Sequence, residues 1–475
     1  MRVLLVTHRY PPDGTAGAET YAATLAGHFE RRGVEVSVLT AVKDIARRHL
    51  SVHRRVEGRT PVVEVVNNLF ATDFRATWDE PLVDAIAGEL LDELRPDVVH
   101  VHHLLYLSVG ILRACRERGI PVLMVLHDFW LGCARFGQLL HADGARCNAV
   151  DPARCGTCLP SFPWRQSDTA RRVGRGVAAL RSVTGLDLSG PLSRRHRKSV
   201  GDAAVLASSL PAEVDAFAAL AEQRLEEIAR AVNDARPRLL LPARFQADWF
   251  AAHGVAEDLL VHQPTGLDWD EAQSEPRVAR EPGEALRVLM LGTLVPHKGA
   301  HVLVDAWGRI DEERRGRARL RIHGPADSRP AYVEELRRAA APVGVTIGER
   351  LERRGVARAL AASDLLVVPS LWLEVRPLVM MEAHAAGVRI LCSDLGGMAE
   401  VIADGAAGST FPAGNADALA RALEGEIDRA AEALPPRPEP TAAFPRWGAV
   451  ADAFLRHSAE LAAEGRAVDP PGPRS

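Results

Sequence analysis

The stretch Pro369 to Gly387, PSLWLEVRPLVMMEAHAAG, carries two carboxylates whose spacing could do chemistry. The apolar run Leu365–Val368 ends at Pro369-Ser370, and Pro377 suits the first turn of a following helix, where a missing N–H does no harm. Glu374 then sits on the loop just ahead of that helix, and Glu382 lies more than one turn inside it. Exposed amides at a helix start form a site for a phosphate or diphosphate. A carboxylate on each side of that site accepts paired hydrogen bonds from vicinal hydroxyls. Such a site suits a ligand with an anionic middle and hydroxylated ends, which is the layout of a nucleotide sugar. Helix capping and the helix dipole would select the same two glutamates, so the pattern alone leaves both readings open.

Three other groups of residues could act chemically. Of the 58 basic residues, three are lysines (Lys43, Lys198 and Lys298) and the rest are arginines. Codon bias accounts for the scarcity in general. Lys298, however, ends the loop GTLVPHKG just before a helix starting at Gly299-Ala300, where a mobile ammonium can neutralise charge developing on a departing anion. Cys133, Cys147, Cys155 and Cys158 have the spacing C-x13-C-x7-C-x2-C. The close CGTC pair lets two thiolates share one tetrahedral ion, and the other two complete a candidate structural zinc set; unligated thiols and redox chemistry are the alternatives. Cys115 and Cys392 lie in more apolar surroundings and read as core. His127 follows the apolar run Pro121–Leu126, and His100, His102 and His103 end another. Neighbours along a strand point to opposite faces, so at most one of the last three is expected to face a ligand, and they are not read as a metal cluster.

Short β-branched runs alternate with amphipathic stretches to position these residues. Strands are expected at Arg2–Thr7, Glu35–Thr40, Val62–Val66, Asp97–Val101, Pro121–Leu126, Leu239–Leu241 and Leu259–His262. A second series follows at Leu286–Leu291, Leu320–His323, Val345–Ile347, Leu365–Val368 and Val388–Leu391. Mostly apolar strands separated by helices indicate parallel sheets covered on both faces. Two consecutive doubly wound α/β domains are expected: 1–268, interrupted by a Cys-containing, basic insert at about 129–235, and 286–430. A polar linker covers 269–285, and 431–475 holds a Pro-rich segment, a final helix near Trp447–Glu464 and a loose tail. In such sheets ligands bind outside the carboxyl ends of the strands.

Composition excludes other classes. The formal net charge of −4 over 475 residues argues against nucleic acid as a partner. No apolar run approaches the ~20 residues that a membrane helix needs. The N-terminus reads as a buried strand rather than a signal peptide, and a cytoplasmic location is expected. Nine Arg/Lys against two Asp between Arg165 and Lys198 suggest a solvated face or, alternatively, an acceptor or peripheral membrane contact. The first turn, HRYPPDG, lacks the G-x-G-x-x-G of a nicotinamide dehydrogenase.

Glu-x7-Glu after PSLW, followed by EAHAAG and SDLGGMAEVI, resembles the retaining glycosyltransferases of family 4, over about 286–430 most strongly. RYPPDGTAGAE, PDVVHVHH, the strand ending in HD, and QPTGLD extend the resemblance into the N-terminal half. It implies the GT-B fold, in which two Rossmann-like domains face an interdomain cleft. It also implies transfer of a sugar from a nucleotide-diphosphate donor to an acceptor (glycan, glycolipid or small metabolite), with no catalytic metal and the acceptor attacking from the face the diphosphate leaves. In that family Glu374 meets the transferred sugar, Glu382 the ribose and Lys298 the donor phosphate, while His127 lies near the sugar's reacting face. Gly17 lets backbone approach the phosphate, and Leu378 and Val379 are the expected amide ligands. The family usually has arginine at Thr293, for which Arg9 or Arg376 are the expected substitutes. A sugar-nucleotide epimerase or phosphorylase of the same fold, or a non-catalytic nucleotide-sugar-binding protein, are the alternative functions.

Overall fold

Runs of consecutive apolar residues make the strands, as a parallel sheet buried on both faces requires. The computed structural model describes residues 1–467 apart from 13, 15–16, 45–46, 71–72, 166–167, 185–210, 282, 327–328 and 432–435. The first sheet contains β1 (Arg2–Thr7), β2 (Glu35–Val42), β3 (Val52–Glu57), β4 (Thr60–Val66), β5 (Val98–Val101), β6 (Val122–Val125), β7 (Arg238–Leu241) and β8 (Leu260–His262). Their order across the sheet is β3-β4-β2-β1-β5-β6-β7-β8, parallel throughout except for the β3–β4 pair. The second sheet contains β9 (Leu286–Leu291), β10 (Ala318–His323), β11 (Thr346–Gly348), β12 (Leu365–Val368), β13 (Arg389–Ser393) and β14 (Gly408–Phe411). It is fully parallel in the order β11-β10-β9-β12-β13-β14.

Each order contains one reversal. In the first sheet the chain steps from β1 outward to β2 and returns to β5 on the other side of β1; in the second, β9 and β12 stand in the same relation. The loops after these strands leave in opposite directions and open a crevice at the strands' carboxyl ends, where open α/β sheets bind ligands. The second sheet is covered on both faces because its strands alternate between two cores. Leu365 and Val367 join one with Val288, Leu320 and Trp307. Leu366 and Val368 join the other with Met380, Met381 and Ile390.

Two strands escape the sequence pattern, and both are edge or near-edge elements without a buried apolar run. β3, VHRRVE, alternates exposed and half-buried residues, and β14, GSTF, buries only Phe411. The chain divides into two units, one of residues 1–242, 247–263 and 450–475, the other of 243–246 and 264–449. The stretch 269–285 starts inside the second unit's core, where Trp269 and Ala272 are buried with Met380. The C-terminal helix Trp447–Ala467 enters the first unit from Val450, where Ser458 bonds His100 at 2.9 Å and Asp452 pairs with Arg32 at 2.7 Å. Between β6 and β7 stand the helices Pro152–Cys158, Asp168–Thr184 and Pro211–Ala235. Residues 166–167 and 185–198 of the basic 165–198 region lie outside the described residues. No helix among the described residues is long and apolar enough to cross a membrane.

Candidate functional site

In the second unit, the loops after β9 and β12 flank the reversal, and backbone contacts tie them together. Leu371 N donates to the His297 carbonyl at 2.8 Å. Gly299 has φ 74°, a left-handed conformation that side chains resist, and a Cβ there would fall 1.8 Å from the Pro369 carbonyl oxygen. Glycine at 299 therefore lets the two loops touch. The contact brings Lys298 to Glu374: Nζ donates to Oε1 at 2.5 Å, and the ammonium lies 5.1 Å from the Trp372 ring centre. Ser370 Oγ donates to the same oxygen at 2.8 Å. Burial pushes the Glu374 carboxyl upward, but the charge and hydrogen bond of Lys298, with help from Ser370, hold it below the ordinary range. A second close approach fixes its backbone. Gly397 N donates to the Glu374 carbonyl at 2.9 Å, and a Cβ at Gly397 would meet the Val375 carbonyl oxygen at 1.5 Å.

The helix Leu378–Ala385 begins after Pro377, which supplies no side-chain cap. Met380 N turns back to the Pro377 carbonyl at 3.1 Å, while the Leu378 and Val379 amides have no acceptor among the described residues. Those two N–H groups carry the positive end of the helix dipole beside the Lys298–Glu374 pair in sequence and fold. Glu382 stands one turn further on. Burial pushes its carboxyl up to about 7, against the pull of Arg353 and with the Glu271 carboxylate adding to the rise. The folded chain thus holds a proton that an unfolded chain, titrating near 4.5, has released. Stability contributed here is present at low pH and is lost as pH rises from about 4.5 towards 7. Glu382→Gln should escape this loss, so its melting temperature should gain on the wild type's as pH increases through that window. A constant difference between the two would contradict the burial argument.

In the first unit, histidines gather where β1, β5 and β6 end. His103 Nε2 lies 2.9 Å from Asp128 Oδ2, His102 Nδ1 lies 3.3 Å from His127 Nε2, and His8 Nε2 lies 3.2 Å from Glu19 Oε1. Tyr21 packs edge-on against His127 with ring centres 4.8 Å apart. Burial, then the neighbouring His102 and His103, push His127 well below its ordinary value, and burial takes His102 down to about 3. Both imidazoles are therefore neutral near pH 7 and act as hydrogen-bonding groups rather than cations. His100 is buried against Ser458 and Phe29, away from this group.

Residues 15–151 match the model for Glycosyltransferase Family 4, and residues 271–429 match that for Glycosyl transferases group 1; together they take in more than half of the chain. The chain belongs to glycosyltransferase family 4. It is 33% identical over 166 residues to phosphatidyl-myo-inositol mannosyltransferase of Mycobacterium leprae, a match covering 34% of this chain and 43% of that protein. It is 32% identical over 197 residues to D-inositol 3-phosphate glycosyltransferase of Nocardia farcinica, covering 37% and 42%. The matches thus span less than half the length of these relatives. Among solved structures, sucrose-phosphate synthase from Thermosynechococcus elongatus superposes with a TM-score of 0.60 at 16% identity, covering 98% of this chain and 99% of that one. Anabaena HepE in complex with UDP-glucose gives 0.54 at 14%, covering 98% of each. The shared fold is GT-B.

Within that family framework, the structure draws Lys298 and Glu374 into one pair and leaves Leu378, Val379 and Glu382 on the adjoining helix. Thr293 lies half-buried in the loop after β9, its carbonyl accepting from Val295 N at 2.9 Å. Of its two expected substitutes, Arg9 is exposed on the loop after β1. Arg376 is committed elsewhere. It pairs with Asp404 at 3.1 Å, donates to the Ala443 carbonyl at 2.6 Å and stacks over Phe444, with its side chain 1% exposed. The expectation of Arg376 as a phosphate ligand is corrected: it secures the backbone that follows Glu374. Arg376→Met should lower stability by on the order of 2–3 kcal/mol, slightly less than the usual loss for breaking a buried pair because Arg244 still reaches Asp404. Thermal denaturation checks this. Unchanged stability with a raised donor KM would return Arg376 to the phosphate.

Gly17 opens the helix Gly17–Glu30, and a Cβ there would meet nothing within 4 Å, so packing does not demand glycine. Ser370, Gly397, His8, Glu19 and Asp128 were not singled out from the sequence for these contacts. The doublet Gly396-Gly397 and the His127-Asp128 dipeptide were the available signals. Cys133, Cys147, Cys155 and Cys158 line one small cavity in the first unit as free thiols. No three His, Cys, Asp or Glu side chains among the described residues stand at metal-ligand spacing. Cys115 and Cys392 are buried in the cores.

Proposed function

We propose that the chain is a retaining glycosyltransferase that moves a sugar from a nucleoside-diphosphate sugar to a hydroxylated acceptor. The observation that carries this reading is the Lys298–Glu374 pair beside two helix amides that lack acceptors, at the reversal of a parallel sheet. The diphosphate takes the Leu378 and Val379 amides and draws Lys298 to itself, which frees Glu374 to accept hydrogen bonds from the sugar's hydroxyls. Glu382 holds the ribose, and Gly17 permits backbone to approach the phosphates. His127, neutral and backed by His102, holds the sugar near its reacting carbon. Charge building on the leaving diphosphate meets fixed donors and an ammonium, so the step asks for no catalytic metal. The acceptor attacks from the face that the diphosphate leaves.

The names of the inositol-directed relatives support inositol phosphates and phosphatidylinositol as the first acceptors to try, alongside glycans and small metabolites. A cytoplasmic location and a peripheral membrane contact through 165–198 belong to the same reading. The test is a thermal-shift screen of nucleoside diphosphates and their sugars. At a hundredfold excess over Kd, binding to the native state alone adds ~2.7 kcal/mol, a rise in Tm of roughly 5–10 °C for a domain of this size. A stabilising donor is then incubated with the acceptor panel, and diphosphate release and product anomer are measured. No shift with any nucleotide, or an isomerised sugar formed without acceptor, would overturn the proposal.

A further inference from the structure

The segment between β6 and the helix Pro211–Ala235 has a construction that the sugar chemistry does not use. Cys133 follows a turn in which its N–H donates to the Phe129 carbonyl at 2.8 Å. Cys147 closes a small hairpin, its N–H donating to the Leu139 carbonyl at 2.8 Å across the Leu140–Arg146 bridge. Cys155 and Cys158 lie three residues apart on the short helix Pro152–Cys158, which Asp151 caps, so both face the same side. Three separate elements therefore deliver four sulfurs to one cavity of about 20 Å³, the room of a single water molecule or ion.

Arg135, Arg154 and Asp151 line this cavity, and Arg224 lies close enough to act on Cys133 and Cys155. Arg224, on the helix Pro211–Ala235 that packs against Pro152–Cys158, is 1% exposed. It donates to the Trp130 carbonyl at 2.5 Å and to the Gly132 carbonyl at 3.2 Å, and it stacks over Trp130. Arg135 Nη1 points at Cys158 Sγ at 3.7 Å, and its Nε is buried without a hydrogen-bond partner. Neither guanidinium forms an ion pair with a carboxylate among the described residues, although both are charged at every physiological pH. A buried cation without a counter-charge is costly. Arg135 is half-buried, whereas Arg224 is fully buried with only the more distant Asp128 carboxylate acting on it, so neutral thiols or disulfides would leave Arg224 short of negative charge. A divalent ion held by four thiolates carries two net negative charges, which the two guanidiniums offset.

We propose that Cys133, Cys147, Cys155 and Cys158 bind one thiophilic divalent ion of the zinc class as a structural site, with Arg135 and Arg224 as its outer charge partners. Binding exchanges four S–H protons, released to solvent, for four S–metal bonds, with no change of oxidation state. Since no three of these side chains stand at metal-ligand spacing in the structure, binding requires the thiol side chains to rotate into the cavity they line. The ion pins the 133–158 loop to the helix carrying Arg224, whose bonds to Trp130 and Gly132 hold the chain just after His127 and Asp128.

The full chain, purified without chelator and assayed without any sugar donor, tests the site independently of the proposed activity. About one zinc per chain is expected by elemental analysis, with all six cysteines reactive after denaturation in chelator. Metal-free protein titrated with cobalt(II) alone should develop the intense visible bands of a tetrahedral thiolate site, saturating at one equivalent. Cys155→Ser should lose both signals; should that variant not fold, the wild-type cobalt titration still decides. Arg135→Met should weaken zinc affinity roughly ten- to a hundredfold in chelator competition, as loss of an outer partner does. Less than about 0.2 zinc per chain after reconstitution, fewer than six free thiols, or a cobalt spectrum without tetrahedral bands would each overturn the proposal.

Discussion

Lys298→Met should lower turnover at saturating donor by roughly two to three orders of magnitude, the usual consequence of removing one preorganised donor from a developing negative charge. Methionine keeps most of the packing against Trp372 and removes the ammonium that lies over its ring. Glu374 then loses the cation that holds its carboxyl low, while Ser370 still donates to it. A stability loss on the order of 1–3 kcal/mol follows from a buried acceptor losing a partner. The double variant Lys298→Met/Glu374→Gln separates the two effects. It should regain stability, because neither charge is left alone, and it should remain inactive, because neither group is left to act. Steady-state kinetics and thermal denaturation of both variants measure this. Wild-type turnover in Lys298→Met would remove the lysine from the leaving-group role.

Gly299→Ala should cost about 2–5 kcal/mol, combining ~1–2 kcal/mol for a left-handed residue with ~1–3 kcal/mol for overpacking against the Pro369 carbonyl. The strain falls on the contact that carries Lys298 to Glu374, so turnover should fall with stability. Gly17→Ala is the contrasting case. With open space around its Cβ, it should leave the melting temperature within about 1 °C, since surface changes usually stay within ±0.5 kcal/mol. If backbone at Gly17 approaches the donor phosphate, donor KM should rise severalfold. Equal donor KM in Gly17→Ala and wild type would show that the methyl group meets no ligand.

Much of the scaffold is local in origin and could be read from the chain. Arg2–Thr7, Leu286–Leu291 and Leu365–Val368 occur as strands over the expected residues. Each is an unbroken apolar or amphipathic run with turn residues beside it. Pro377 before a helix carrying Glu382 was legible for the same reason, because proline and helix starts are matched within a few residues. β3 and β14 were not legible, since an edge strand is held by its neighbour's hydrogen bonds and needs little apolar content.

The Lys298–Glu374 pair joins residues 76 apart, and strand order decides it. β9 and β12 become neighbours only when the sheet forms, and the missing Cβ of Gly299 then lets their loops close. Arg376 shows the converse. By sequence it stood free beside a phosphate site, yet Asp404, Ala443 and Phe444 converge on it from distant segments and occupy it. Residue types, element boundaries and the chemistry on offer were written in local pattern and composition. Which charges meet and which are consumed was settled by the tertiary structure, because those contacts depend on close approaches that no stretch of sequence contains.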